Sequence, residues 1–461
     1  MIDSISSQTV IPFDECLRIL WERGHELHGR KFDLEAIRSI LGALGNPERR
    51  YPTAIVAGTN GKGSTCAMLA AILERAGYRT GLYTSPHLVR VNERIRVNGQ
   101  GLSDDDFAAA FTTVHRAVQK LIEARELPHH PSFFEYLTAV AFRHFASAAV
   151  DFVVLEVGMG GRLDATNVTD ASVAVITNVD LDHQEFLGNT LTAIATEKAG
   201  VIKPGRTIVS GCENPEVRGV VRQKCREARV ELIETGGLES ASNLFHVDGR
   251  YGFDFHTNGC DITGIILSMA GRFQVKNAVT AATAAAQLAR AGFQIPPDAI
   301  REGLRAASWP GRLEVIRQRP LILLDGAHNP AAARALADFV RGHYKGRRIR
   351  LVYASMRDKD IAEISSLLFP LAHAVYLTRP GLDRAALPEA ILESAQAPPR
   401  QTVIESDPPR ALEQAVFSSL PEDVILVAGS LFLVGAIKKA VFEGRLLPEN
   451  LTPPEVFSER C

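Results

Sequence analysis

The sequence predicts an α/β protein of two units, each a mostly parallel sheet covered by helices, with a small antiparallel sheet added to the first. Three observations carry this. Strand-like and helix-like segments alternate from residue 53 onward, the pattern of a parallel sheet with helices on both faces. A glycine-rich turn, Gly58-Thr59-Asn60-Gly61-Lys62-Gly63-Ser64, joins the first strand of the series to its helix. The alternation breaks at Ser308-Trp309-Pro310-Gly311 and then begins again. The expected division is 1–308, a linker at 309–313, and 314–461.

The elements follow in order. Apolar spacing at Cys16, Leu17, Leu20 and Trp21, and again at Leu34, Ile37, Ile40 and Leu41, predicts helices before residue 50. Strands are expected at 53–57, 79–83, 151–157, 172–177 and 206–210, and helices at 64–76, 104–124, 133–147, 190–201 and 215–228. Residues 245–270 alternate apolar and polar positions and read as a small antiparallel meander. Ala278 to Ala291 is an alanine-rich helix. In the second unit, Leu321 to Leu324 reads as a buried strand, followed by a helix at 330–342 and strands at 349–353, 374–378, 401–404 and 424–428.

Composition narrows the function. The chain has 461 residues, 46% hydrophobic and 23% charged, as in soluble globular proteins. A net charge of −2 gives no reason to expect nucleic acid or an acidic membrane as partner. Six scattered cysteines without a Cys-x-x-Cys pair argue against a zinc site or a disulfide framework, and suit a reducing cytosol. No signal sequence or membrane span is expected, so the predicted location is cytoplasmic.

The turn at 58–64 has the chemistry of a phosphate cradle. Glycines let backbone N–H groups converge on phosphate oxygens, and the following helix N-terminus adds positive potential. Lys62 supplies a point charge. The usual pattern places glycine five positions before the Gly-Lys pair and a hydroxyl directly after the lysine. Here Val56 holds the first position and Gly63 separates Lys62 from Ser64.

Other polar clusters fall at strand ends, where open α/β sheets bind ligands. Glu156 begins a Gly-rich turn running through Arg162, Leu163 and Asp164 to Asn167; a carboxylate there suits Mg²⁺ beside a nucleotide, and a solvated tight turn explains it equally well. His183 ends Asn178-Val179-Asp180-Leu181-Asp182-His183 and reads as ligand or structural residue with equal weight. Glu197-Lys198 alone reads as a surface ion pair. Ser85, after the second strand, reads first as a turn cap and second as an Mg²⁺ ligand. Arg312 and the Asp325-to-Pro330 segment lie beyond the linker and suggest a nucleotide held between two domains. No Gly-x-Ser-x-Gly elbow lies near a strand end and no His-Glu-x-x-His occurs, which leaves serine hydrolases and zinc proteases without support.

Taken in order, these segments resemble the Mur ligase superfamily, ATP-dependent acid–amino acid ligases, and within it folylpolyglutamate synthase/dihydrofolate synthase. The carriers are Gly-Thr-Asn-Gly-Lys-Gly-Ser at 58–64, Ser-Pro-His-Leu at 85–88, Asn-Glu-Arg-Ile at 92–95 and Phe-Phe-Glu-Tyr-Leu-Thr-Ala at 133–139. They continue with Leu-Glu-Val-Gly to Asp-Ala-Thr-Asn at 155–167, Leu-Asp-His at 181–183, Glu-Lys-Ala-Gly at 197–200 and Phe-Gln-Val-Lys-Asn at 273–277. Trp-Pro-Gly-Arg-Leu-Glu at 309–314, Asp-Gly-Ala-His-Asn at 325–329 and Gly-Ser-Leu at 429–431 complete the series. Cell-wall members carry a nucleotide-sugar domain before the phosphate loop; only 57 residues precede Gly58 here. Gly63 also resembles the folate branch.

The resemblance implies a phosphate-loop ATPase-like first domain and a Rossmann-like second one. It implies that Gly58, Thr59, Asn60, Gly61, Lys62, Gly63 and Ser64 hold the ATP phosphates, and that Asn277, Arg312 and Asp325 reach the nucleotide. Ser85, Glu156 and His183 would ligate Mg²⁺. Lys198 matches a lysine that this family carbamylates, which reverses the ion-pair reading, and His328 matches a histidine near the reaction centre. The pterin would be held by the Arg30–Leu34 region, including Phe32 and Asp33, by Phe134 and Glu135, and by Arg162, Leu163 and Asp164. The implied substrates are dihydropteroate or a reduced folate, L-glutamate and ATP, and the implied state is a monomer. The implied reaction activates a carboxylate as an acyl phosphate, which the glutamate amine then attacks. The Gly-Arg-Leu-Asp-Ala-Thr-Asn segment resembles that of members acting on both acids, so a bifunctional enzyme is expected. A phosphate-loop ATPase, or a ligase for a non-folate acid, is the alternative.

Overall fold

The computed structural model describes residues 9–24, 33–235, 240–247, 250–257 and 259–446. Helices α1 (Phe13–Trp21) and α2 (Glu35–Ala43) precede strand β1 (Thr53–Ala57). The glycine-rich turn then enters α3 (Lys62–Arg75), which returns to β2 (Thr80–Tyr83). Strands β3 (Ile95–Val97) and β4 (Gln100–Gly101) form a short edge, followed by α4 (Asp104–Glu123) and α5 (Phe133–Ser147). Then come β5 (Phe152–Glu156), β6 (Val173–Ile176), α6 (Gln184–Leu187), α7 (Leu191–Lys198), β7 (Thr207–Ser210), α8 (Pro215–Ala228) and β8 (Leu232–Glu234).

These strands form one sheet in the order β4-β3-β2-β5-β1-β6-β7-β8. From β2 to β8 all pairs are parallel; only β3 and β4 run antiparallel. The burial of β1 explains the architecture. All five of its residues are buried. Ile55 and Ala57 enter the core under α4 and α5, while Ala54 and Val56 enter the core on the opposite face. Successive strand side chains point to opposite faces, so a strand apolar at every position needs cover on both.

The second face is covered by α3 and by the elements that follow β8. Strands β9 (Ala241–Val247), β10 (Arg250–Thr257) and β11 (Cys260–Ala270) make an antiparallel sheet in the order β11-β10-β9. Phe253, Phe255, Ile262, Ile265 and Leu267 point from it into the same core as α9 (Phe273–Arg290) and α10 (Pro297–Ala306). The meander thus begins at Ala241 rather than at residue 245, and the alanine-rich helix begins at Phe273.

Residues 307–313 lead to a third sheet. Its elements are β12 (Glu314–Gln318), β13 (Leu321–Leu324), α11 (Pro330–His343), β14 (Ile349–Tyr353), α12 (Ile361–Leu368), β15 (Ala374–Leu377), α13 (Pro388–Ser394), β16 (Thr402–Ile404), α14 (Pro408–Phe417), β17 (Val424–Ala428) and α15 (Leu431–Phe442). The order is β12-β13-β17-β14-β15-β16, parallel except at β12. Leu321 and Leu323 face one core and Ile322 and Leu324 the other, the same alternation as in β1. Among the described residues, no helix is long and apolar enough to cross a membrane.

Candidate active site

The carboxyl ends of β1, β5, β6 and β13 open onto one cleft of about 530 Å³. Lys62, Glu156, His183, Asn277, Arg312 and His328 all line it, although 266 positions separate the first from the last.

The phosphate-loop turn is held rigidly from behind. Asn60 N–H donates to Asn178 Oδ1 at 2.8 Å, and Thr177 Oγ1 donates to the Asn60 carbonyl at 2.7 Å. Gly61 caps α3 in the left-handed conformation (φ 81°), and a Cβ there would lie 2.3 Å from Asn277 Oδ1. The amides of Lys62, Gly63 and Ser64 form the first helical turn and have no partner within the helix. These residues line the cleft, so donors and dipole favour an anion there. Gly63 has a packing reason too: a Cβ on it would lie 2.6 Å from Trp309 Nε1. The unusual glycine is where the connection between the sheets rests on the loop.

Behind the loop two lysines converge. Lys62 Nζ donates to the carbonyls of Gly58 and Thr59, each at 3.1 Å, and Lys198 Nζ donates to the same Gly58 carbonyl at 2.8 Å. Lys198 is 4% exposed. Burial, with the Lys62 charge adding to it, pushes its ammonium down to about 7. Lys198 is thus not a surface ion-pair partner; its neighbour Glu197 pairs with Arg162 at 3.0 Å instead.

Glu156 lies at the floor of the cleft, and its Oε2 accepts from Ser85 N–H at 3.1 Å. Burial raises its carboxyl, opposed first by Lys62. His183 sits at the end of the β6 loop, and burial holds its imidazole down to about 3, leaving a neutral ring. A buried carboxylate, a hydroxyl and a neutral imidazole suit a divalent cation that also takes phosphate and water oxygens, as Mg²⁺ does. Among the described residues no group of three or more His, Cys, Asp or Glu side chains is placed to hold a metal ion by itself.

From the third sheet, Asp325 is buried and accepts from the N–H groups of Leu313 and Ala327, each at 2.9 Å. Burial raises its carboxyl against the Arg312 charge. His328 Nδ1 donates to the Gly326 carbonyl at 2.8 Å, and burial lowers the ring to about 4. The ring is thus neutral near pH 7, and its Nε2 lies 3.8 Å from Asp182 Oδ2.

One junction was missed by sequence reasoning. Asp182 Oδ1 receives Lys359 Nζ at 2.6 Å, and Asp182 Oδ2 receives Asn329 Nδ2 at 3.2 Å. Asn329 Nδ2 also donates to Asn60 Oδ1 at 2.9 Å. Burial alone would raise the Asp182 carboxyl; His183, His328 and Lys359 outweigh it and hold it far below the usual range. Because both imidazoles are neutral, the Lys359 ammonium carries most of that effect. Lys359 follows β14 at a strand end, the placement that singled out the other clusters. Arg384 was missed as well. It lines the cleft with its guanidinium 4.8 Å from the Phe432 ring centroid, and no carboxylate pairs with it among the described residues.

The chain's relatives can now be set beside this geometry. The profile of the Mur ligase middle domain matches residues 56–285, and that of the Mur ligase glutamate ligase domain matches 311–431. A dihydrofolate synthase/folylpolyglutamate synthase of Bacillus subtilis is 34% identical over 424 residues, 91% of this chain and 97% of that protein. The chain belongs to the Mur ligase family. A structure of Escherichia coli FolC in complex with DHPP and ADP superposes with a TM-score of 0.82 at 32% identity, covering 95% of this chain and 100% of that one. A Mycobacterium tuberculosis folylpolyglutamate synthase complexed with ADP superposes with a TM-score of 0.86 at 32% identity, covering 92% and 97%.

In this Mur ligase the residues expected around a pterin divide. Phe134 lines the cleft, packed so closely on Gly158 that a Cβ there would lie 2.6 Å from its Cζ. Glu135 does not line it: Oε2 accepts from Ser132 N–H at 2.9 Å in the capping box of α5. Asp164 is buried and accepts from Met159 N–H, Thr166 N–H and Thr166 Oγ1, a local cap. Arg162 reaches out to Glu197, Leu163 packs at the core's edge, and Asp33 meets His129 Nε2 at 3.2 Å. Phe32 lies outside the described residues.

Proposed function

We propose that this chain joins L-glutamate to a pterin-linked carboxylate at the expense of ATP, making dihydrofolate from dihydropteroate and extending reduced folates. The observation that carries this is the single cleft that brings the phosphate loop and Glu156 together with Arg312, Asp325 and His328. Two full-length relatives, from Bacillus subtilis and Escherichia coli, bear both activities in their names, which supports a bifunctional enzyme.

The geometry supports the following assignment. The first-turn amides of α3 and the Lys62 ammonium hold the triphosphate, and Asn277 flanks the nucleoside. Arg312 neutralises charge on the transferring phosphoryl group from the opposite wall. Ser85, Glu156 and His183 would hold Mg²⁺, which when bound supplies charge neutralisation on the phosphates. Near pH 7 part of Lys198 is the neutral amine, the form that reacts with carbon dioxide, and its carbamate would place a carboxylate beside Lys62. Phe134 gives the pterin an aromatic wall, while Asp164 shapes the Met159 turn. Arg384 is placed to receive a carboxylate of the incoming glutamate. His328, neutral and facing the cleft, can accept a proton from its amine. Walls from both sheets exclude water from the activated carboxylate.

The division at 309–313 is the natural hinge for this cycle. The free thiols of the described cysteines suit a reducing cytoplasm, and we place the active form as a monomer, which light scattering checks. The purified chain with dihydropteroate, ATP and glutamate is expected to yield dihydrofolate, ADP and phosphate. ATP hydrolysis that ignores both acid and amine would instead favour a plain ATPase.

A further inference from the structure

Away from the cleft, two imidazoles meet across the sheets. His246, on edge strand β9, and His343, the last residue of α11, bring their Nε2 atoms to 2.9 Å. His343 Nδ1 lies 2.9 Å from the Phe339 carbonyl and must donate to it. Its neutral Nε2 is therefore a lone pair, and His246 Nε2–H points at it. The rings are held in place: His343 stacks on Phe339 at 4.2 Å, and His246 lies 5.2 Å from Tyr251.

We propose that His246 and His343 form a site for a divalent transition-metal ion that clamps α11 to the small antiparallel sheet. Imidazoles, one with its tautomer fixed by a backbone carbonyl, are donors of the kind that zinc, nickel and copper take. Metal–nitrogen bonds of 2.0–2.1 Å at a tetrahedral angle need nitrogens about 3.3 Å apart, a small opening from the observed contact. The His343 ring also sits at the C-terminal end of a fourteen-residue helix, where the helix dipole favours a cation. On binding, the His246 proton moves from Nε2 to Nδ1 and both Nε2 lone pairs bind the metal; nothing is oxidised. Solvent supplies the remaining ligands.

The clamp has a mechanical consequence. Helix α11 spans about 20 Å. At its other end Asn329 is tied to Asn60 and Asp182 beside the phosphate loop. Fixing His343 holds the helix at both ends and slows reopening of the cleft; this clause rests on the ligase reading, whereas the metal site does not.

The test is calorimetric titration of the full chain with Ni²⁺, with Mg²⁺ and ADP already bound. The expected result is one Ni²⁺ site that weakens about tenfold or more in His246→Gln or His343→Gln and disappears in the double variant, with thermal unfolding unchanged. Ni²⁺ binding equal in wild type and double variant, or no Ni²⁺ binding in wild type, overturns the site. Ni²⁺ should also lower turnover in wild type only; binding without that difference overturns the clamp.

Discussion

The side-chain nitrogens of Lys62 and Lys198 share one acceptor, the carbonyl oxygen of Gly58, at 3.1 and 2.8 Å. Burial, with the Lys62 charge adding to it, pushes the Lys198 ammonium down to about 7. The glycine-rich turn is thus backed by a lysine that holds a sizeable share of uncharged, nucleophilic amine near neutral pH.

Lys198 sets a pH dependence with a definite sign. Its folded value of about 7 lies below the ordinary 10.5. Between these the unfolded chain holds a proton that the folded protein lacks, so stability rises with pH across that window. In bicarbonate-free buffer the unfolding midpoint should climb from pH 7 to 9, and Lys198→Met should flatten the climb. With ¹³C-bicarbonate, a carbamate carbon resonance should appear in wild type and be missing from Lys198→Met.

Lys62→Ala removes the point charge from the proposed triphosphate site. Turnover should fall by about 10²–10³-fold or more, while circular dichroism stays that of the wild type. Near-normal ligation by this variant would show that the loop does not serve the reaction.

Gly63→Ala separates helix propensity from packing. Alanine is favoured over glycine in a helix interior by roughly 1 kcal/mol, and Gly219 in α8, with open space around it, should show a gain of that sign. At Gly63 the new Cβ meets Trp309 Nε1 at 2.6 Å, and the indole must move. The expected outcome is a raised KM for ATP and shifted tryptophan emission, with neither change in Gly219→Ala.

The Asp182–Lys359 pair joins the two parallel sheets, and both side chains are less than a tenth exposed. Removing one partner strands a buried charge, so Asp182→Asn should cost about 3–5 kcal/mol in denaturant unfolding. Adding Lys359→Met should recover part of that loss. Additive effects in the double-mutant cycle would show that the pair is not coupled.

The parallel strands were legible because burial on both faces leaves unbroken apolar runs, as in Thr53–Ala57 and Leu321–Leu324. The phosphate loop was legible because its glycines and lysine are contiguous. Strands β3 and β4, of three and two residues, are too short to show a period. Asp182 and Lys359 lie 177 positions apart, and only the packing of two sheets brings them together. Asp164 offers the right chemistry for a pterin, and its oxygens also cap Thr166 and Met159. Such a cap and a ligand carboxylate look alike in sequence.

The most direct test measures ADP release and amide product together, with dihydropteroate or tetrahydrofolate as the acid. The account predicts that ADP forms only when ATP, glutamate and one of these acids are all present, in step with a glutamylated product from each acid. ADP release without acid and amine, or no product from either acid, would contradict it.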